Sequence, residues 1–269
     1  MFPLSGTNFP TSIDELKTAI RGGLSEVLTL SNPDNTVRID GGAWPALNRL
    51  TIDLNNATIR ITQPPPKPKP RDDRQPGITV ANIEVLGHPI RYARSSADFS
   101  LSASGVALDF AHDQTGRALL LLRDAASGHL EMKIDKSDLQ AALLDAATAA
   151  AKPHGISIQD LQLNLTSDGP RSLAGELRVK AKKMMMSGVV LLRGRVDISD
   201  ALVATLSNLA CSGEGMIGGM AAAMVNTKLK SFEGKTIPLA AMSLGDTALR
   251  DLTITAGQTI AVTANFGRN

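Results

Sequence analysis

The run Gly213-Glu-Gly215-Met-Ile-Gly218 spells the glycine spacing of a dinucleotide-binding turn, and Glu233 stands near the distance at which such a turn places a ribose-binding acid. That chemistry needs a buried strand before the glycines and parallel units around them. Here Leu202, Leu206 and Leu209 recur at helical spacing, so the expectation is one helical region from Asp200 to Lys230 that the glycines break. No cofactor is expected. The four histidines, His88, His112, His129 and His154, lack metal-ligand spacing and read as solvated residues at turns and strand ends, so no metal site is expected either. Asp109 and Asp113 stand near His112, but no Gly-x-Ser-x-Gly elbow supplies a nucleophile for them. No catalytic residue is assigned, and the chain reads as a non-enzyme.

Methionine is the more informative residue. Met216, Met220 and Met224 are four apart, on one face of one helix, while Met184, Met185 and Met186 open the most apolar stretch of the chain. Unbranched thioethers adapt to ligands of variable length and curvature. Met184, Met186, Val190, Leu192, Met216, Met220 and Met224 are therefore expected to line an undemanding apolar pocket. Lys180, Lys182 and Lys183 precede the methionine run and read either as a small basic rim or as a solvated strand edge.

The composition narrows the function classes. With 269 residues, 43% of them hydrophobic, the chain is long enough to bury a sizeable core. A net charge of +2 gives no electrostatic footprint for nucleic acid, and 3% aromatic residues leave no base-stacking platform. Cys211, the single cysteine, cannot form an internal disulfide and reads as a small buried hydrophobe. The first residues lack the basic start and apolar run of a secretory signal, and no apolar stretch is long enough to span a bilayer. The expectation is a soluble chain, cytoplasmic or peripheral to a membrane, or periplasmic behind a removed signal. Nothing in the sequence sets an oligomeric state.

Several elements can be placed from pattern alone. A helix should start at Ser12 with Ile13, Leu16, Ile20, Leu24 and Val27 on one face and Gly22-Gly23 weakening it midway. A second should open at Lys136-Ser-Asp-Leu139 and stop at Pro153-His-Gly155. An apolar-polar-polar-Leu-polar-apolar grammar recurs at Leu47–Leu54, Ile158–Leu165 and Leu249–Ala256, each with an alternating half that reads as a strand with one buried face. Gly41-Gly42 should turn the chain into the first copy. Residues 63–76, rich in proline and carrying Lys67, Lys69, Arg71 and Arg74, are expected to form a mobile insertion, as a solvated loop, a proline-motif ligand or a basic lure for anionic lipid heads. Tight turns at Asp113–Gly116 and Ala125–Gly128 predict an antiparallel meander from Ile78 to Ile134. The expected class is α+β.

Leu-Glu-Met-Lys-Ile-Asp-Lys-Ser-Asp-Leu139, reading as strand into helix, and the ending from Ile237-Pro-Leu-Ala-Ala-Met-Ser-Leu-Gly245 through Leu249-Arg-Asp-Leu-Thr-Ile254 resemble the tubular lipid-binding (TULIP) superfamily, in particular its LmeA-like bacterial branch. The likeness covers roughly residues 78 to 266, rests on hydrophobic pattern and carries over no catalytic residue. It implies one domain across residues 1–269, with a strongly curved antiparallel sheet, a half-barrel, wrapped around one or two long helices. The apolar groove between sheet and helix would hold lipid acyl chains. The ligand would be a lipid or fatty-acyl molecule, with peripheral membrane contact and no nucleic acid. The competing expectation is a structural or scaffold protein with a fully packed core and a partner on the proline-rich segment.

Overall fold

The computed structural model describes residues 1–60, 68–184, 186–241 and 247–268. Lys67 and Met185 lie outside them, as does the start of the proline-rich segment. The fold is α+β, dominated by antiparallel sheet. By its contacts the chain gathers into two compact units, where the sequence reading has one domain. Unit 1 comprises Met1–Met132, Ala241–Asp251 and Thr263–Asn269; unit 2 comprises Lys133–Ala240 and Leu252–Val262.

Unit 1 begins with β1 (Phe2–Pro3) and α1 (Ile13–Val27). The helix starts where Ser12 predicts: its hydroxyl accepts from Glu15 N at 3.3 Å, and the Glu15 carboxylate accepts from Thr11 N at 2.7 Å. Of the face anticipated from spacing, Leu16, Ile20 and Leu24 are buried and Ile13 and Val27 half-buried, and Ala19 is buried beside them. Gly22 and Gly23 have a packing role instead of marking a weak point. A Cβ on Gly22 would lie 2.3 Å from Ser5 Oγ, and one on Gly23 would lie 2.2 Å from Pro3 O, so only glycine admits the N-terminal segment there.

β2 (Leu28–Thr29), β3 (Val37–Ala43), β4 (Ala46–Asp53), β5 (Thr58–Ile59), β6 (Gln75–Tyr92), β7 (Ser95–His112), β8 (Ala118–Asp124) and β9 (Ser127–Asp135) follow. The turn expected at Gly41-Gly42 falls instead at Trp44–Pro45, and both glycines sit inside β3. The sheet is not wholly antiparallel. β4 and β6 pair parallel, from Ala46 opposite Thr79 to Asp53 opposite Leu86, and the long stretch between them supplies the return crossover that parallel neighbours require. β6 and β7, 18 residues each, form a hairpin whose inward side chains, Ile78, Val80, Val106, Leu108 and Phe110, join Leu16, Ile20 and Leu50 in the core. β7 borders both β8 and β9, so the expected meander is folded over one strand.

The described end of the proline-rich segment is fastened down. Arg71 N donates to His112 O at 2.7 Å, Arg74 Nε donates to Asp109 at 2.5 Å, and Asp73 accepts from His112 N at 3.0 Å. His112 is correspondingly not a solvated histidine. Its Nδ1 lies 2.6 Å from Asp73 Oδ2, its Nε2 lies 2.8 Å from Thr7 O, and its ring stacks on Phe9. Asp113 closes the β7–β8 turn as expected, accepting from Thr115 N and Arg117 N.

Unit 2 is built from α2 (Lys136–Ala151), β10 (Ser157–Gly169), β11 (Ser172–Lys183), β12 (Met186–Ile198), β13 (Val203–Glu214), α3 (Gly215–Leu229) and β14 (Thr236–Pro238). Its sheet runs β10-β11-β12-β13-β14, antiparallel throughout. β15 (Ala248–Ala256) and β16 (Thr259–Gly267) close the chain. α2 stops where predicted, with Gly155 at φ +66°.

The third helical region is the main correction. Val203–Glu214 is a strand, and only Gly215–Leu229 is helix. β13 carries a bulge: Arg193 pairs with Ala210 but Arg195 pairs with Ser207, and Asn208 sits at φ +55°. An extra residue in a strand changes the parity of every side chain after it. Leu206 and Leu209, three apart, therefore share a face in a strand and imitate a helical repeat.

Candidate functional site

The unit 2 sheet has two chemically distinct faces. Strand alternation puts Leu161, Leu163, Leu177, Val179, Val190, Leu192 and Cys211 on one side, given the registers Leu163↔Leu177, Leu177↔Leu192 and Leu192↔Cys211. The other side carries ion pairs. Arg195 contacts Asp168 at 2.6 Å and Asp197 at 2.9 Å, and Arg193 contacts Glu176 at 2.7 Å. The Arg195 guanidinium holds the Asp197 carboxyl below its ordinary range, and the two carboxylates in turn raise the arginine.

α3 crosses the apolar face on a seat of glycines. A Cβ on Gly188 would lie 2.4 Å from Gly218 N, one on Gly213 would lie 1.9 Å from Gly218 O, and one on Gly218 would lie 2.4 Å from Val189 O. Gly213 and Gly215 thus do end a strand and open a helix, contrary to the expected break inside a helix. They serve close helix–sheet packing in an antiparallel unit. Asn226 fixes the far end of the seat, accepting from Cys211 N at 2.8 Å and donating to Cys211 O at 2.5 Å. Glu233 is also structural. Its two carboxylate oxygens accept from Asn208 N at 2.9 Å and Leu209 N at 2.8 Å, which satisfies the backbone of the β13 bulge. Burial raises the Cys211 thiol, in keeping with its reading as a small hydrophobe.

Gly218, Ala222 and Asn226 define the face that α3 turns to the sheet. Met216, Met220 and Met224 are offset from them by two residues, about 200° around a helix, and so point away from it. Their exposures are 68, 67 and 74%. Met184, at the β11–β12 turn with φ +53°, is 84% exposed, and Met186 is 41% exposed. Gly215 packs on Ser187, which brings the start of α3, and Met216 with it, beside the turn that carries Met184 and Met186. The structure therefore assembles five of the expected residues into one exposed methionine surface. It separates them from the other two: Val190 and Leu192 lie half-buried on the sheet face beneath α3. The anticipated pocket wall containing both sets is not what this arrangement builds.

α3 carries no ionisable side chain from Gly215 to Thr227, so its outward face has methionine and no charge. From Val189 to Leu192 β12 is apolar on both faces, and beyond Leu192 one face carries Arg193, Arg195 and Asp197. Val189 and Leu191 line a cleft of about 420 Å³ on the ion-paired side, together with Arg178, Ser212 and Glu214. Lys180, Lys182 and Lys183 are exposed beside the methionine turn. Among the described residues no group of three or more acidic, histidine or cysteine side chains is placed to hold a metal ion, and no helix is long and apolar enough to cross a membrane. Comparison with protein-family models, with curated proteins and with solved structures finds no match.

The glycine seat was the signal that sequence reasoning passed over. Gly188 in an apolar strand marks close approach of another backbone, and Gly213 and Gly218 supply its partners.

Proposed function

We propose that this chain is a non-enzymatic lipid-binding or lipid-transfer protein that holds acyl chains against the apolar surfaces of unit 2. The observation that carries the reading is the methionine surface. Large apolar side chains exposed to 67–74% on a helix without charge from Gly215 to Thr227 are costly in water unless something apolar covers them. Flexible thioethers accept a chain whose length and bends vary. Val190 and Leu192, half-buried on the sheet face beneath α3, form a second apolar surface separate from the methionines. In a tubular lipid-binding relationship the unit 2 sheet would be the curved wall and α3 the helix it grips, with the difference that the methionines lie on the outer side of that helix.

Roughly ten methylenes moved out of water would contribute about 8 kcal/mol before the cost of immobilising the lipid. That is enough for carriage without a specific head-group contact. The test is mass spectrometry of lipid extracted from the purified protein, together with uptake of a fluorescent fatty acid. Bound lipid or saturable uptake is expected, and M216S/M220S/M224S should weaken uptake by about tenfold or more, given about 1.5–3 kcal/mol for each fully covered apolar side chain. A protein that purifies empty and takes up no fatty acid overturns the proposal.

A further inference from the structure

We infer that the β11–β12 turn and the first turn of α3 form a docking surface for an anionic lipid bilayer. The inference rests on the lipid-binding reading above and names the membrane surface that such a protein would meet. The apolar part is the tip: Met184 is the most exposed large apolar residue described, and Met186 and Met216 flank it. The charged part stands directly behind. Lys183 pairs in register with Met186, Lys182 with Ser187 and Lys180 with Val189, so three cations occupy the last four positions of β11. None of the three side chains has a hydrogen-bond or ion-pair partner among the described residues, and that of Arg178, two residues further back, is equally free.

The carboxylates facing this group are few. Asp160 lies across from Lys180 on β10 and is engaged by Gln162, and Glu214 lies across from Val189 on β13. Glu176, which borders a cleft with Arg178, is paired with Arg193, so four cations against the two carboxylates Asp160 and Glu214 leave the turn positive. Alternation puts Lys180 and Lys182 on one side of the hairpin and Lys183 on the other. The lysines therefore flank the tip on both sides, and none of the three lines the described clefts that would seat a single free anion, Arg178 alone bordering one of them. Positive charge on both sides of an apolar point fits a plane of negative charge. The spacing fits as well: at about 3.3 Å per residue the lysine backbones stand roughly 3–13 Å behind the tip. An apolar face settles about 5–10 Å into the boundary between head groups and acyl chains, and lysine stems can reach the phosphates from there.

The test is co-sedimentation of the full chain with vesicles of phosphatidylcholine alone or mixed with phosphatidylserine, at low and high salt. Binding is expected to the mixed vesicles, weakened by salt. K180Q/K182Q/K183Q should lose about a hundredfold in affinity for them, at roughly fivefold per lysine, while taking up monomeric fatty acid like the parent. M184S/M186S should lose binding to mixed vesicles while keeping the charge. Equal binding to both vesicle types, or a lysine variant that binds as well as the parent, overturns the docking surface. So does a parent chain that ignores vesicles and uses these methionines to bind a protein. Fatty-acid uptake without vesicle binding removes the docking inference alone, and vesicle binding without any uptake or co-purified lipid removes the lipid-holding function and leaves the docking surface standing.

Discussion

Two side chains fasten backbone that would otherwise be left without partners. Glu233 is one: the β13 bulge turns Asn208 N and Leu209 N out of the ladder, and a single carboxylate takes both. E233A should lower the unfolding free energy by about 1–2 kcal/mol in urea titrations, the range for hydrogen bonds to a charged group at an exposed site. E233Q, which keeps one acceptor, should lose less. His112 is the other. The hydrogen bond to Asp73, then the one to Thr7 O, raises its pKa above the ordinary histidine value, and Asp73 is lowered first by the His112 backbone N–H and then by the His112 ring. A raised histidine contributes stability that is complete below its unfolded value and is lost as pH rises through the folded one; a lowered carboxylate contributes above its unfolded value and loses it as pH falls. The pair is therefore most effective in mildly acidic solution. Melting temperature followed across that range should decline toward alkaline pH more steeply in the parent than in H112Q. Identical profiles would remove this role from His112.

At the scale of elements, neighbouring glycines in α3 do opposite things. Gly218 is pressed against the backbone of β12 and β13, whereas a Cβ on Gly219 would meet nothing within 4 Å. G219A should stabilise the protein by about 0.5–1 kcal/mol, because alanine restricts the unfolded chain and suits a helix. G218A should destabilise it by about 1–3 kcal/mol or more, since the backbone it meets cannot turn aside like a side chain. Thermal melts of the two variants should move in opposite directions. The same element shows where sequence reading succeeds and where it stops. α1 was legible because Ser12, Glu15 and the Leu16–Ile20–Leu24 repeat are local signals that agree. β13 was illegible because its bulge makes Leu206 and Leu209 repeat like a helix, and the acid that stabilises the bulge lies beyond α3. The parallel pairing of β4 with β6 was hidden for a related reason: it is set by which distant strand completes the core, and neither strand's own alternation records it. The methionine spacing was legible, but the side of α3 it would occupy depended on Gly188 and Gly213 in other strands.

For the whole molecule, the outward methionines separate what folds the chain from what it could hold. Core methionines replaced by serine would cost several kcal/mol. M216S/M220S/M224S should instead leave the unfolding midpoint nearly unchanged, because exposed substitutions seldom exceed about 0.5 kcal/mol each. Binding of a dye that reports apolar surface should fall at the same time. A large loss of stability would mean that these side chains pack against protein after all. An exposed thioether is also open to oxidation. Peroxide gives up one oxygen to the sulfur, becoming water, and the product is a polar, chiral sulfoxide that enzymes can reduce again. Five such sulfurs on one surface make its greasiness conditional on the redox state around it. The same helix that is apolar in reducing surroundings would become a row of polar groups under oxidative stress, without a change in the fold.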